Sequence, residues 1–382
     1  MSALNQKVLF TTHVGSPGGA EIKMLELLNA VEQREVLLFE KGSLFDTIKA
    51  KGVPVIVEDL NKGFRQYKRE GSTLSALKVI PSLFKASVSA IRHARNYEII
   101  VCMSQKSFVV FALSKVIHRK KIVWFMNDIV SSEHFSGFSR TVIKSLARVF
   151  ADTVVLNSKS SLHEWQAAGM HSKREVVIYS GVNTTRPKPS EDTSDIDKIK
   201  EWQGNAPLIG MFGRITHWKG QHVFIEALSK LPNHKAIVVG GTHFEDDSYA
   251  SSLAERAAQL KLSNQIKFVG HRANIFDYID ICDTIVHCSV LPEPFGRVIV
   301  EAMLMEKIVI ATAAGGATEI VKDEESGYLY PPGDAEELAR KIKVALANPS
   351  RQTMQRSAKR RAEELFSSDK MCQDFQQLLS SV

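Results

Sequence analysis

Residues 7–40, KVLFTTHVGSPGGAEIKMLELLNAVEQREVLLFE, decide the fold. A strand-sized run, Lys7 to His13, passes through a glycine-bearing loop into a helix-length segment, Ala20 to Val31, with 3.6-type apolar spacing, and a second strand-sized run starts at Arg34. Strand, crossover helix and strand make a βαβ unit, which sets the two strands parallel. The same alternation continues outward through VPVIVED from Val53, YEIIVCM from Tyr97, KIVWFMN from Lys121 and DTVVLNS from Asp152. It predicts an α/β, doubly wound sheet with both faces covered.

Residues 184–206 interrupt the pattern with two prolines and a polar run, TTRPKPSEDTSDIDKIKEWQGNA, and read as a linker. Strand-sized runs resume with PLIGMFG from Pro207, KAIVVGG from Lys235, QIKFVG from Gln265, TIVHCS from Thr284 and KIVIATA from Lys307. Asp334 and Glu337 have capping-box spacing ahead of the amphipathic segment EELARKIKVAL. The expected organisation is therefore a domain over 1–183, a linker over 184–206, a second doubly wound domain over 207–365, and a C-terminal helix within 366–382, near Ser368 to Leu379, that packs on either one. Two such domains face each other across a cleft at the C-terminal ends of their strands, where open α/β sheets bind ligands.

Composition narrows the function class. The 382 residues are 44% hydrophobic and 24% charged, which excludes a disordered chain, and no apolar run approaches the roughly 20 residues of a membrane span. The N-terminus lacks a charged region followed by a long apolar one, and Cys102, Cys282, Cys288 and Cys372 have no metal-ligand spacing, so a reducing cytoplasmic setting is expected. The net charge of +7 is uneven: residues 1–180 hold 25 Lys and Arg against 15 Asp and Glu, residues 181–382 hold 24 against 27. A basic front half attracts anionic partners, whether nucleic acid, lipid headgroups or a phosphorylated substrate.

Four glycine-bearing loops follow strands. In HVGSPGGAE, Gly18 and Gly19 precede a helix whose N-terminus could face a phosphate, although a tight turn explains the glycines as well. In GRITHWKG, Arg214 and Lys219 can converge on one anion, Arg as a planar fork and Lys as a point charge; solvated surface charges are the competing explanation. In EPFGRVIVEAM, Pro294 and Gly296 keep Glu293 out of the helix expected over Arg297 to Met305, which leaves a helix N-terminus near Phe295 and Gly296 flanked by Glu293 and Glu301, two acceptors suited to hydroxyls. AAGGATEIV, from Ala313, closes the series with Glu319 at the start of its next segment.

The order of these motifs resembles the retaining glycosyltransferases of family 4, which have the GT-B fold. The GGAE loop (Gly18 to Glu21), the GR…KG loop (Gly213 to Gly220), the E-x7-E element (Glu293 to Glu301) and the GGxxE…G…PPGD tail (Gly315 to Asp334) carry the resemblance over nearly the whole chain. It implies that Arg214 and Lys219 hold the diphosphate of a UDP-, GDP- or ADP-sugar, that Glu293 meets the transferred sugar and Glu301 the ribose. It also implies that backbone near Gly18, Gly19, Pro294, Phe295 and Gly296 touches phosphate or sugar, and that the loop at Gly270 and His271 holds the base. The implied reaction is metal-independent, needs no cofactor, and moves a hexose-type sugar to a hydroxyl of a glycan or lipid-linked acceptor in surface polysaccharide or lipopolysaccharide assembly.

Two positions depart from the family. Asn127 stands where many relatives carry a histidine, and Ser180 stands in place of the asparagine of their NGVD segment. Asn127 cannot serve as a general base, though its amide can bond a sugar hydroxyl, and Asp128 can fill either role. His13, His134, His217 and His271 lie near the loops and receive no catalytic assignment, since a lone histidine is more often structural. The basic, partly apolar stretch from Lys62 to Asn96 suggests peripheral contact with an anionic membrane, or a solvated loop followed by an ordinary helix. A catalytically inactive sugar-nucleotide-binding module is the alternative function, and nucleic-acid binding is disfavoured because no basic strand face interleaves aromatics.

Overall fold

The computed structural model describes residues 6–58, 80–129, 137–242 and 247–382. It divides into two compact units, one formed by Met1–Gly181 with Ser368–Val382, the other by Val182–Ser367.

The first unit carries a parallel sheet of β1 (Val8–Thr12), β2 (Arg34–Leu38), β3 (Val55–Val57), β4 (Ile99–Cys102), β5 (Lys121–Met126), β6 (Thr153–Leu156) and β7 (Glu175–Val177). Their order is β3-β2-β1-β4-β5-β6-β7. Residues along β5 show why both faces must be covered. Ile122, Trp124 and Met126 enter one apolar cluster, where the Trp124 ring stacks on Phe108 at 4.1 Å, while Val123 and Phe125 enter the other. That second cluster is closed by the helix Ser368–Leu379, whose Met371, Phe375, Leu378 and Leu379 are buried against the sheet, with Phe375 5.7 Å from Phe125 and 5.9 Å from Phe10. The C-terminal helix thus belongs to the first unit although 186 residues of the second precede it in the chain.

The second unit repeats the topology with β8 (Leu208–Phe212), β9 (Lys235–Val239), β10 (Ile266–Gly270), β11 (Thr284–His287), β12 (Ile308–Thr312) and β13 (Tyr328–Tyr330), in the order β10-β9-β8-β11-β12-β13. Asp334 caps the helix Ala335–Ala347, its side chain accepting the Glu337 N–H at 2.9 Å. The stretch expected as a linker, 184–206, is not one throughout. It contains the helix Ser194–Gln203, which buries Ile196 and Ile199 and is tied to the same unit by Asp195 bonding Arg272 at 2.6 Å. In each unit the strand order reverses beside the first strand, between β1 and β4 and between β8 and β11. The loops leaving those strands open the crevice where such sheets bind ligands.

Candidate functional site

In the second unit, the loop after β8 is pinned to the loop after β11. Gly220 has φ 74° and lies so close to the Cys288 carbonyl that a Cβ would stand 2.0 Å from its oxygen, so no larger residue fits. The Val290 N–H donates to the Trp218 carbonyl at 2.8 Å. This close approach carries the Lys219 ammonium over the Trp218 ring, 4.5 Å from its centre, and onto Oε1 of Glu293 in an ion pair.

Glu293 is held from three sides. Its backbone is clamped by the loop after β12, where a Cβ at Gly316 would lie 2.6 Å from the Phe295 Cα and the Gly316 N–H donates to the Glu293 carbonyl at 2.9 Å. Its Oε2 meets Nε2 of His287, the last residue of β11. The other ring nitrogen, Nδ1, faces the Thr312 hydroxyl at 3.3 Å. This pattern assigns the tautomer: Nε2–H donates to Glu293, and Nδ1 accepts from Thr312. Burial, with the Lys219 cation nearby, pushes the His287 pKa down to about 3, so the ring stays neutral and acts as a fixed donor. Burial and the Arg214 charge bring Lys219 down to about 7. Arg214 is itself exposed beside the loop, its carbonyl accepting from Gln221 Nε2 at 2.9 Å.

Gly296, at φ 109°, starts the helix Arg297–Leu304, and Glu301 lies one turn further in, 3.6 Å from Arg297. Burial raises the Glu301 pKa against the lowering effect of Arg297. Pro294 is half-buried and Phe295 buried against Phe366 at 5.6 Å. Gly270 ends β10 with φ 79°, and His271 beyond it is exposed. Arg214, Lys219, Glu293 and the start of the 297–304 helix therefore stand together at the C-terminal sheet edge of this unit.

The first unit gathers a different set at its corresponding edge. Gly18 and Gly19 begin the helix Gly19–Leu27 with negative or unremarkable φ, and a Cβ on Gly19 would meet nothing within 4 Å, so turn geometry does not account for Gly19. Glu21 is buried and accepts from Thr12 Oγ1 at 2.9 Å and the Gly18 N–H at 3.2 Å. Burial raises its pKa, with a smaller contribution from the Asp128 charge. Lys23, only 2% exposed, donates to Asn127 Oδ1 at 2.8 Å and to Asn157 Oδ1. The Asn127 amide nitrogen donates to the Met103 carbonyl at 2.8 Å and reaches the Phe125 carbonyl at 3.4 Å, so its donors are directed into the protein. His13 is half-buried and His217 exposed; His134 and residues 62–79 of the basic stretch lie outside the described residues.

Sequence reading missed His287 and Lys23. The signal for His287 was a histidine ending the strand-sized run TIVH, six positions before Glu293. That for Lys23 was a lysine two positions after the glutamate of a GGAE loop.

Among the described residues, no three or more His, Cys, Asp or Glu are grouped to hold a metal, and no helix is long and apolar enough to cross a membrane. Residues 192–363 match the family model for glycosyl transferases group 1. Alr3699/HepE of Anabaena, solved in complex with UDP and glucose, matches with 34% identity over 99% of this chain and 100% of that chain and a TM-score of 0.85, and it has also been solved with UDP-glucose. Among curated proteins, the lipopolysaccharide core biosynthesis glycosyltransferase LpsE of Rhizobium meliloti is 30% identical over 55% of this chain and 59% of its own length. The mannosyltransferase LpsB of the same organism is 29% identical over 53% and 56%. The matched regions span little more than half the length of these curated relatives.

Proposed function

The chain belongs to the group 1 glycosyl transferases, with the two-sheet GT-B fold, and from that premise we propose that it transfers a hexose-type sugar from UDP to a hydroxyl of a glycan or lipid-linked acceptor, with retained anomeric configuration, in lipopolysaccharide or capsule assembly. The relatives act in such pathways, and HepE, similar over its full length, binds UDP and UDP-glucose. The observation that carries the reading is the Lys219–Glu293 pair backed by neutral His287.

A diphosphate offers the Lys219 ammonium an anion in place of Glu293, and Glu293, freed of its cation, becomes an acceptor for sugar hydroxyls. Arg214 adds a second cation, and the N–H groups of the first turn at Gly296 add the positive end of a helix. Together these stabilise the charge that develops on the departing phosphate, the role a divalent ion plays elsewhere, so the reaction runs without metal. Glu301 accepts from the ribose hydroxyls, and the loop at Gly270 and His271 lies along the base. Gly18 and Gly19 offer backbone N–H groups to phosphate or sugar at the first unit's sheet edge, and acceptor recognition belongs to that unit, with Asp128 at the same edge. The protein works on the cytoplasmic side, where nucleotide sugars are made.

The test is thermal stability against UDP, GDP, ADP and CMP with EDTA present, followed by incubation with UDP-hexoses. A selective rise with UDP and release of UDP in the presence of an acceptor extract are expected. No response to any nucleotide would overturn the donor assignment. UDP binding with neither hydrolysis nor transfer would leave a sugar-nucleotide-binding module.

A further inference from the structure

The N-terminal edge of the first unit's sheet, opposite to the end that carries Lys23 and Asn127, holds a second concentration of charge. There a surface cavity of about 350 Å³ is lined by Lys115, Arg119, Lys120, Lys121 and Lys173, against a single carboxylate, Asp152. Asp152 is already satisfied: it pairs with Lys115, with Lys173 at 3.0 Å, and accepts the Ile122 N–H at 2.8 Å. Among the described residues no carboxylate pairs with Arg119, Lys120 or Lys121.

The cations alone have an ordinary explanation, because they follow the C-terminus of the helix Gln105–His118, where positive charge complements the helix dipole. The apolar residues beside them do not. Leu113, Val116 and Ile117 share one face of that helix and are 41%, 64% and 63% exposed, and Val149, near the end of the helix Gly137–Phe150 that packs beside it, is 56% exposed. Val116 itself lines the cavity, as does Phe150, so the apolar face and the cationic pocket are continuous. Large aliphatic side chains held in water next to unpaired cations fit an interface that is at once apolar and anionic.

We propose that this face docks on a bilayer containing anionic phospholipid. The cavity takes the headgroup phosphate between Arg119, Lys120 and Lys121, and Leu113, Val116, Ile117 and Val149 enter the interfacial region. The site is separate from the residues assigned to the sugar donor and does not depend on that assignment. It also lies largely outside the Lys62–Asn96 stretch on which composition had suggested membrane contact.

The experiment is cosedimentation of the full chain, without nucleotide, with vesicles of phosphatidylcholine alone and of phosphatidylcholine mixed with phosphatidylglycerol. Two double variants are compared with wild type, Lys120→Glu with Lys121→Glu, and Val116→Ser with Ile117→Ser, after their unfolding midpoints are shown to match wild type. Binding to the mixed vesicles alone, weakened about tenfold or more in both variants and by raised salt, is the expected result. Equal sedimentation of wild type and variants overturns the proposal. So does weakening by the charge variant without the apolar one, particularly if inorganic phosphate or an oligonucleotide competes, because a soluble anion or a nucleic acid then accounts for the cations. UDP-induced stabilisation is measured on the same samples: its absence with intact vesicle binding would defeat only the transferase reading.

Discussion

Lys23 in the first unit and Lys219 in the second both stand at the C-terminal edge of a parallel sheet, and each is largely withdrawn from water, but they keep different company. Lys23 is 2% exposed and holds the neutral amides of Asn127 and Asn157, atoms from the ends of β5 and β6 that have no charge to give up. The Lys219 side chain is 16% exposed and meets a carboxylate that is itself held by a neutral histidine. A cation bonded to buried amides is fixed, since moving it strands two carbonyl oxygens. A cation paired with a carboxylate beside solvent can exchange that carboxylate for a stronger anion. The same strand order thus yields a lysine bonded to neutral amides in one unit and a lysine paired with a carboxylate in the other.

The sharpest way to break this comparison is to remove each ammonium in turn. Lys219→Met is expected to lower kcat/KM for transfer by about 10²–10³-fold, the scale seen when one preorganised charge or donor is lost from a developing oxyanion. Near-normal turnover would remove Lys219 from the mechanism. Lys23→Met should instead cost roughly 2 kcal/mol of stability from the abandoned amide oxygens while UDP affinity stays within about twofold. A large loss of UDP affinity without loss of stability would erase the distinction.

A smaller effect concerns the histidine behind Glu293. His287 is held near 3 in the folded protein and returns to about 6.5 when unfolded, so the unfolded chain binds the extra proton between those values. Its contribution to stability is complete above pH 6.5 and declines as pH falls toward 3, by at most about 1.4 kcal/mol per pH unit. Denaturant titrations of His287→Gln should show a shallower acid loss across that window. An unchanged slope would mean that the ring is not buried neutral.

Much of the fold was legible because parallel strands buried on both faces leave apolar runs, and because the glycine loops fall directly after them. The segment 184–206 was misread since Pro187, Pro189 and the polar run around them outweighed Ile196 and Ile199, the two residues of the helix Ser194–Gln203 that are buried. Of the site, Glu293 and Lys219 could be named from their loops, but their pairing depends on Gly220 and Gly316 bringing three loops into contact, which no local pattern records. Lys23 was invisible for a similar reason. Its partners lie 104 and 134 residues away, and a lysine within a helix ordinarily extends its charge to water.

Exchange of Glu293 for a diphosphate at Lys219 is read from the UDP dissociation constant of wild type and Lys219→Met between pH 7 and 9 with EDTA present. Burial and the Arg214 charge hold the Lys219 pKa down to about 7, and a bound anion raises it, so binding draws a proton onto the fraction of the side chain that is neutral amine. Wild-type affinity is expected to weaken as pH rises above 7, by up to about tenfold per unit, with the variant weaker and nearly independent of pH. A wild-type profile as flat as that of the variant would contradict it.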